Sequence, residues 1–324
     1  MKRGLVIGKF MPLHYGHIAL IEFAAAHCDE LIVSMSYNAT DVISVELRLS
    51  WINETFKDQS TIKAFSIVDD FDREDLPFAE RTKIWADRMR KVYPPIDIVF
   101  SSEGYGVPFA KNLGAKHKNF DLKRNLFPVS ATLIRENPFA HWKYIPKGVR
   151  PFFVKKICFY GPESTGKSVM AKQLASYYQT DFVPEVAREI VSSNEFTVED
   201  IIKIGHTQTE RVLDKTKAAN KILFCDTDLI TTQIYSWHYL GEVPQILYEL
   251  EKKITYDQYF LFDIDVPWVA DGMRDLGTRR QEMHNIFKNE LLNRGIRFIE
   301  VRGNYDEREK ILKEHVDSML PHSL

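Results

Sequence analysis

The stretch GKFMPLHYGH, residues 8–17, follows directly on the apolar run Leu5-Val6-Ile7. An apolar run of this kind, bounded by a glycine, predicts a buried strand that ends where the quoted stretch begins. Gly8 permits close approach of the backbone to another group, and Pro12 stiffens the turn. We therefore interpret the stretch as the junction between a first strand and a first helix.

Two histidines give this junction its chemistry. His14 and His17 are three residues apart, which places both imidazole rings on one face near the start of the helix. Together with Lys9 they form a compact set of donors for an anionic oxygen. Zinc is the alternative ligand for a histidine pair at this spacing, but the sequence supplies no convincing third or fourth ligand.

Strand-like and helical patterns alternate through the rest of the N-terminal half. Apolar residues at helical spacing run from Val45 to Phe56, and apolar runs predict strands at 5–7, 31–35, 62–68 and 96–100. This alternation predicts a parallel sheet with right-handed crossovers. The pattern breaks at residues 137–152, NPFAHWKYIPKGVRPF, whose prolines indicate a linker and whose aromatic residues suggest that it packs.

Length and composition favour two globular domains. The chain has 324 residues, more than one hydrophobic core usually covers. Its 44% hydrophobic and 27% charged residues exclude a disordered or fibrous class, and a net charge of −2 without long Lys/Arg blocks argues against a nucleic-acid surface. The sequence shows neither a signal peptide nor a membrane span, so we expect a cytoplasmic protein with no membrane partner. A homo-oligomer stays open.

The three cysteines do not form a metal-binding or redox motif. Cys28, Cys158 and Cys225 show no CxxC spacing, and the last two lie in strand-like runs. We expect reduced core residues.

The stretch GPESTGKS, residues 161–168, fits the phosphate-binding pattern GxxxxGK[ST] and stands between the strand-like run 154–160 and a helical pattern over 168–178. The glycines let backbone N–H groups turn toward phosphates, and the helix N-terminus adds positive potential. Lys167 supplies a charge between the β- and γ-phosphates, and Ser168 is a ligand for Mg²⁺. The predicted ATP-binding residues of this loop are Gly161, Glu163, Ser164, Thr165, Gly166, Lys167 and Ser168.

A later strand in this half ends in carboxylates. The apolar run 222–225 is followed by Asp226 and, two residues on, Asp228, at the strand end where open α/β sheets bind ligands. A carboxylate there can hold Mg²⁺ or accept the proton of an attacking hydroxyl. The alternative, most serious for Asp228, is a cap on the next helix.

Two further groups of charged residues have open interpretations. Glu185 and Arg188 either pair on a helical surface or line the pocket of the acceptor, where a carboxylate grips sugar hydroxyls. Arg274, Arg279 and Arg280 form either a solvated face or a lid over the transferred phosphoryl group. Of the three arginines, Arg274 and Arg279 are predicted to bind ATP.

The first half resembles the nucleotidylyltransferase superfamily. Residues 8–17 fit its signature GxFxPxHxGH, and VSATLIR at 129–135 fits its second signature, ISSTxIR, with Ala131 in place of a serine. The resemblance implies a Rossmann-like fold and in-line attack of a substrate phosphate on the α-phosphorus of ATP, with release of pyrophosphate. Catalysis would rest on positioning and charge neutralisation by His14, His17 and Arg135. The implied ATP site consists of Gly8, Lys9, Phe10, His14, His17, Ser130, Thr132 and Arg135.

Both halves together resemble the bifunctional nicotinamide-nucleotide adenylyltransferase/ribosylnicotinamide kinase family. Besides the two phosphate motifs, the resemblance rests on SSEGYG, FDLKR, ENPFAHWKYIP, FCDTDLITTQ and DVPWVADGMR, and it spans essentially the whole chain. It implies an adenylyltransferase over 1–148 and a P-loop kinase over 149–324, which convert nicotinamide riboside to the mononucleotide (NMN) and then to NAD with ATP and Mg²⁺. Some members carry a DNA-binding helix-turn-helix; because the first strand begins near residue 4, we expect none here.

The acceptor sites follow from residue type and from the resemblance. An aromatic side chain is needed to stack on the nicotinamide ring. The predicted NMN and NAD site consists of Tyr37, Trp85, Ser102, Glu103 and Tyr105. The predicted riboside site consists of Glu185, Arg188, Asp226 and Asp228, with Lys167 and Asp226 as catalytic residues and Ser168 and Asp226 as ligands of Mg²⁺.

Two other functions stay open at this point. A phosphopantetheine adenylyltransferase joined to a kinase of the coenzyme A pathway would need a long apolar channel rather than an aromatic stacking site. A sensor that binds NAD or ATP, with one domain no longer catalytic, is hinted at only by Ala131.

Overall fold

The structure, a computed structural model, comprises two compact units, Met1–Val149 and Arg150–Leu324. The division lies one residue beyond the predicted boundary. The residues that the structure describes are 1–73, 75–191, 196–269 and 275–320.

The first unit is built on a parallel sheet. Its strands are β1 (Arg3–Gly8), β2 (Glu30–Tyr37), β3 (Ile62–Val68), β4 (Ile98–Ser101) and β5 (Lys116–Asn119). Its helices are α1 (Tyr15–Ala25), α2 (Val45–Thr55), α3 (Phe78–Val92), α4 (Gly106–Leu113) and α5 (Ala131–Glu136). The strand order is β3-β2-β1-β4-β5, with all pairs parallel.

The central strand explains why the opening stretch lies at a ligand site. Leu5 and Val6 of β1 are fully buried, as expected for a parallel strand that is covered on both faces. The connection after β1 runs toward β2, whereas the connection after the neighbouring strand β4 runs the other way, toward β5. The two connections therefore diverge at the carboxyl ends of β1 and β4 and open a crevice there. The turn that follows β1 borders this crevice.

The second unit has the same type of architecture. Its strands are β6 (Lys155–Tyr160), β7 (Phe182–Val183), β8 (Ile222–Asp226), β9 (Gln258–Phe262) and β10 (Phe298–Val301). Its helices are α6 (Lys167–Tyr177), α7 (Ala187–Ile190), α8 (Val198–Ala218), α9 (Leu229–Leu240), α10 (Gln245–Glu251), α11 (Arg280–Asn293) and α12 (Tyr305–Met319). The parallel strand order is β10-β9-β6-β8-β7, so the predicted class of two parallel-sheet α/β domains is confirmed.

Strand pairing brings the phosphate loop and the acidic strand end together. β6 lies beside β8, with Phe159 opposite Asp226, so the loop that follows β6 and the carboxylate that ends β8 share one edge of the sheet. Cys158 and Cys225 are neighbours in the same register, and both are buried and free. This agrees with their predicted role as reduced core residues.

The predicted linker is a folded segment. Short 3-10 turns lie at Trp142–Tyr144 and Arg150–Phe152, and Trp142 and Ile145 are buried. Of its aromatic residues, Phe139 and Trp142 are buried and Phe152 is exposed, so the segment packs through part of its aromatic side chains. None of the helices within the described ranges is long and apolar enough to cross a membrane.

Candidate active sites

The first site is organised by the start of α1. His14 caps this helix, and the backbone N–H of Gly16 donates to its Nδ1 at 3.1 Å. Since Nδ1 is an acceptor, the neutral ring carries its proton on Nε2, which is then available as a donor to a ligand. The His17 ring stacks on the His14 ring with centroids 3.7 Å apart.

Both imidazoles are neutral at physiological pH. Burial, and after it the nearby charge of Arg124, lowers the pKa of His14 to about 4. Burial and the His14 ring lower the pKa of His17 well below its usual 6.5. His14 can thus donate from Nε2 to a phosphate, and the stacked pair does not hold two adjacent positive charges.

The two signature motifs of the first unit meet at one cavity of about 510 Å³. Arg135 donates to the carbonyl of Met11 and, at 3.2 Å, to Thr132 Oγ1. Ser130 caps α5 by accepting the Leu133 N–H at 3.2 Å. The predicted residues that line this cavity are Gly8, Lys9, Phe10, His14, His17, Ser102, Glu103, Tyr105, Ser130, Thr132 and Arg135.

Arg124 lines the same cavity and was not predicted as a site residue. Its guanidinium donates to Glu103 at 3.1 Å, and Asp121 shapes its loop by accepting three backbone N–H groups. The signal in the sequence was the run FDLKR, residues 120–124, which ends in this arginine. Sequence alone did not show that this loop reaches the histidine pair.

An adjoining cavity of about 290 Å³ has aromatic walls. Trp85 meets Tyr105 edge to face at 5.4 Å, and its indole Nε1 donates to Asp72 at 2.8 Å. Asp72 also accepts both arms of Arg81, at 2.9 and 2.6 Å. Trp85 is thereby fixed at a cavity that shares five lining residues with the first: Ile7, Gly8, Lys9, Glu103 and Tyr105.

Tyr37 and Lys9 have different surroundings from those expected. Tyr37 ends β2 and lies outside the lining of both cavities that the described residues form. Its predicted stacking role has no support in its position. Lys9 borders both cavities, and its Nζ lies 3.9 Å from the buried Asp69 carboxylate, so it is not merely a solvated lysine.

The phosphate loop of the second unit curls around its lysine. Lys167 Nζ donates to the carbonyls of Gly161 and Pro162 at 2.9 and 2.8 Å. Gly161 has φ of 134°, and a Cβ there would lie 2.9 Å from the Phe262 carbonyl. Burial lowers the pKa of Lys167. The loop thus needs glycine at position 161, because a side chain there would disturb the backbone whose carbonyls hold the lysine.

Ser168 and Asp226 form an oxygen pair beside this loop. The Ser168 hydroxyl donates to Oδ2 of Asp226, while Oδ1 is buried and lacks a hydrogen-bond partner among the described residues. Burial, followed by the charge of Glu185, raises the pKa of Asp226 to about 6. A hydroxyl and a carboxylate with a spare oxygen are hard ligands of the type that Mg²⁺ takes.

A cavity of about 320 Å³, called the kinase cavity after the activity predicted for this unit, is lined by residues of this loop. Arg188 donates to Glu185 at 3.0 Å, and both line the cavity, so the predicted pairing is present and the role at an acceptor stays a prediction. The other predicted residues in the lining are Glu163, Ser164, Thr165, Gly166, Lys167 and Ser168, and the additional ones include Gln208, Thr231, Tyr235, Tyr239 and Tyr305.

Asp228 is a helix cap, contrary to the prediction that it binds the riboside. Its Oδ1 accepts the Thr231 N–H at 2.9 Å at the start of α9, and its Oδ2 accepts the Tyr259 hydroxyl at 2.9 Å. It lines a separate cavity with Tyr259 and Glu251. Both oxygens of its carboxylate therefore have partners within the fold. This agrees with the alternative prediction, a cap on the next helix.

The arginine that approaches the phosphate loop after β9 is not one of the two that were predicted to bind ATP. Arg274 lies outside the described residues. Arg279 is exposed and pairs with Glu282, with contacts of 2.7 and 2.5 Å, so its position does not support ATP binding. Arg280 instead approaches the phosphate loop and donates to the carbonyls of Val266 at 2.9 Å and Ser164 at 3.3 Å.

Comparisons with known proteins agree with this geometry. A family model described as cytidylyltransferase-like matches residues 5–74, and one described as an AAA domain matches residues 156–308. Among solved structures, a NadR protein in complex with NAD and AMP-PNP gives a TM-score of 0.80 at 23% identity and covers 98% of this chain and 96% of that one. At this identity the likeness concerns the fold.

Curated relatives match almost the whole chain. The trifunctional NAD biosynthesis/regulator protein NadR of Escherichia coli K12 is 34% identical over 94% of this chain and 80% of its own length. Its counterpart in Salmonella typhimurium LT2 is 33% identical over 98% of this chain and 83% of its own length. Similarity of this extent confirms the predicted family: the chain belongs to the NadR family of NAD biosynthesis proteins.

Proposed function

We propose that this chain makes NAD by two ATP-dependent transfers. The second unit phosphorylates nicotinamide riboside to NMN, and the first unit joins NMN to the AMP part of ATP. The observation that carries the proposal is that each unit combines its own phosphate-binding turn with a cavity for an acceptor. Family membership supports the NAD pathway over the coenzyme A alternative, as does the aromatic wall at Trp85.

Adenylyl transfer needs no protein nucleophile. A phosphate oxygen of NMN attacks the α-phosphorus of ATP in line, the bond from that phosphorus to the bridging oxygen breaks, and pyrophosphate leaves. His14 donates from Nε2 to the α-phosphate as charge develops there, and His17 holds the His14 ring in place by stacking on it. Arg135 and Arg124 neutralise the departing pyrophosphate, and Trp85 stacks on the nicotinamide ring.

Phosphoryl transfer uses the carboxylates of the second unit. A hydroxyl of the riboside attacks the γ-phosphorus, ADP leaves, and the hydroxyl proton passes to the Glu185 carboxylate, which lines the cavity. Lys167 places its charge against the β- and γ-phosphates. Ser168 and Asp226 would hold Mg²⁺, which supplies further neutralisation of the phosphate charge.

One incubation tests both steps. The purified chain is supplied with ATP, Mg²⁺ and nicotinamide riboside, and NMN and then NAD are followed over time. A parallel reaction that starts from NMN should give NAD and pyrophosphate without the kinase step. Formation of neither product would contradict the proposal, and adenylylation of phosphopantetheine in place of NMN would favour the coenzyme A alternative.

A further inference from the structure

Among the residues that the structure describes, each unit contains one arginine that is completely buried. The relative exposure is 0% for both Arg48 and Arg308, and neither lines a substrate cavity. A guanidinium in such a place is costly unless its N–H groups all find acceptors. Among the acceptors that these two arginines use is one carbonyl of each phosphate-binding turn, of Lys9 for Arg48 and of Thr165 for Arg308.

Arg308, on α12, connects three segments of the second unit. It donates to the backbone carbonyls of Thr165 at 2.5 Å, Gly303 at 2.8 Å and Asp263 at 3.0 Å, and it pairs with the Asp265 carboxylate. Thr165 belongs to the phosphate-binding loop, whereas the other segments follow β9 and β10. The arginine thus attaches the loop to two strand ends.

The Thr165 contact determines how the next peptide group faces. In a trans peptide the C=O and the following N–H point in opposite directions. Because Arg308 holds the Thr165 carbonyl on its own side, the N–H of Gly166 is directed away from Arg308, and Gly166 lines the kinase cavity. Gly166 has φ of 87°, a conformation in which glycine is favoured.

Arg48, on α2, has the equivalent arrangement in the first unit. It donates to the carbonyls of Lys9 at 2.8 Å and Ser36 at 3.3 Å, and to the Asp41 carboxylate at 2.7 Å. The following peptide N–H belongs to Phe10, which has φ of 46° and lines the cavity that holds the histidine pair. The same reasoning directs this N–H away from Arg48.

We propose that Arg48 and Arg308 are positioning residues for the two reactions. Each holds one carbonyl of a phosphate-binding turn away from the ligand, so that the following N–H donates to the phosphates of ATP. Without the guanidinium the peptide is free to rotate and to present a carbonyl oxygen to the phosphates, which replaces a donor by a repulsive acceptor. The inference rests on the proposed function, because it assigns ATP to both turns.

Lysine variants of the full-length chain test the inference. Lysine keeps the charge, but its donors all lie on one nitrogen and cannot reach the separate acceptors that the guanidinium contacts from different nitrogens. R308K should raise the KM for ATP in the kinase reaction roughly tenfold or more, change the KM for the riboside less than about threefold, and leave adenylyl transfer unaltered. R48K should have the reverse effect, raising the KM for ATP in adenylyl transfer only.

Exposed arginines of the same units serve as matched controls. R90K and R302K should keep both KM values for ATP within about twofold of wild type, since surface substitutions have small effects. The inference is overturned if the controls behave like R48K and R308K. It is also overturned if each variant loses kcat with unchanged KM, as expected from a smaller folded fraction.

The outcomes also separate this inference from the proposed function. Wild-type protein that forms neither NMN nor NAD contradicts the proposed function before any variant is measured. Wild-type protein with both activities and variants with unchanged kinetics contradict the inference alone. If one lysine variant does not fold, the other decides; if neither folds, the arginines serve the fold rather than the turns, and the inference is overturned.

Discussion

The imidazole rings of His14 and His17 stack with centroids 3.7 Å apart and an angle of 25° between their planes. At this separation two imidazolium ions would repel each other strongly, and burial disfavours even one. The pair therefore meets ATP in its neutral form, with Nε2 of His14 as the donor, and the positive charge of the site comes from Lys9, Arg124 and Arg135.

Replacement of one histidine should affect only one of the two reactions. We expect His17→Ala to lower kcat/KM for adenylyl transfer by about 10²–10³, the usual effect of losing one donor to a developing charge, because the His14 donor loses the ring that holds it in place. Phosphorylation of the riboside should stay at the wild-type rate because Lys167 and Asp226 are untouched. Lys167→Ala should give the opposite pattern, and equal losses in both reactions would show that the assignment of the two sites is wrong.

Buried histidines should make the first unit sensitive to acid. The pKa of His14 is lowered in the fold to about 4, so between pH 6.5 and 4 the unfolded chain binds a proton that the folded chain does not. Stability is therefore complete above pH 6.5 and is lost as the pH falls. We expect the free energy of unfolding of this unit to drop by about 2 kcal/mol between pH 7.5 and pH 5 from His14 alone. Thermal unfolding of wild type and His14→Gln at both pH values measures this contribution, which the variant should lack.

The kinase should lose activity in acid for a different reason. The pKa of Asp226 is raised to about 6, so its carboxylate takes up a proton as the pH falls below that value and no longer accepts a cation or a proton. We expect kcat/KM to decline below about pH 6 at limiting Mg²⁺, and saturating Mg²⁺ should move the decline to lower pH because the cation favours the ionised form. An acid limb that is independent of Mg²⁺ concentration would argue against Asp226 as a metal ligand.

The phosphate-binding turns could be predicted from the sequence because a phosphate cradle is a local device of the backbone. Residues 8–17 and 161–168 each contain the glycines and cations that it needs within a few positions. β5 escaped prediction because its sequence, KHKN, has no apolar residue; it pairs with β4 at the edge of the sheet.

The binding sites of the two acceptor substrates could not be predicted equally well, because they depend on packing between segments that are distant in the sequence. Asp228 has the same residue type and strand-end position whether it caps a helix or meets a ligand, and only the fold brings Tyr259 to its carboxylate. Trp85 and Tyr37 are both aromatic, but only Trp85 lies where Asp72 can fix its ring at a cavity.

This difference between the two aromatic residues can be measured. Trp85→Ala should raise the KM for NMN about tenfold, as expected from the loss of a stacked aromatic surface, while the KM for ATP in adenylyl transfer changes little. Trp85→Phe should restore part of the affinity. Tyr37→Ala is the matched control and should leave the KM for NMN within about twofold. A larger effect at Tyr37 than at Trp85 would show that the nicotinamide ring binds elsewhere.

Two neighbouring arginines should likewise differ in their effect on the kinase. Arg280 donates to the carbonyl of Ser164 in the phosphate loop, whereas Arg279 is exposed and paired with Glu282. We expect Arg280→Ala to lower kcat/KM for ATP roughly tenfold or more, because the variant removes a cation next to the loop and leaves a carbonyl without its donor. Arg279→Ala should remain within about twofold of wild type, since an exposed ion pair contributes little. Initial rates at varied ATP concentration and saturating riboside measure both variants, and a loss at Arg279 that matches the loss at Arg280 would return Arg279 to the ATP site.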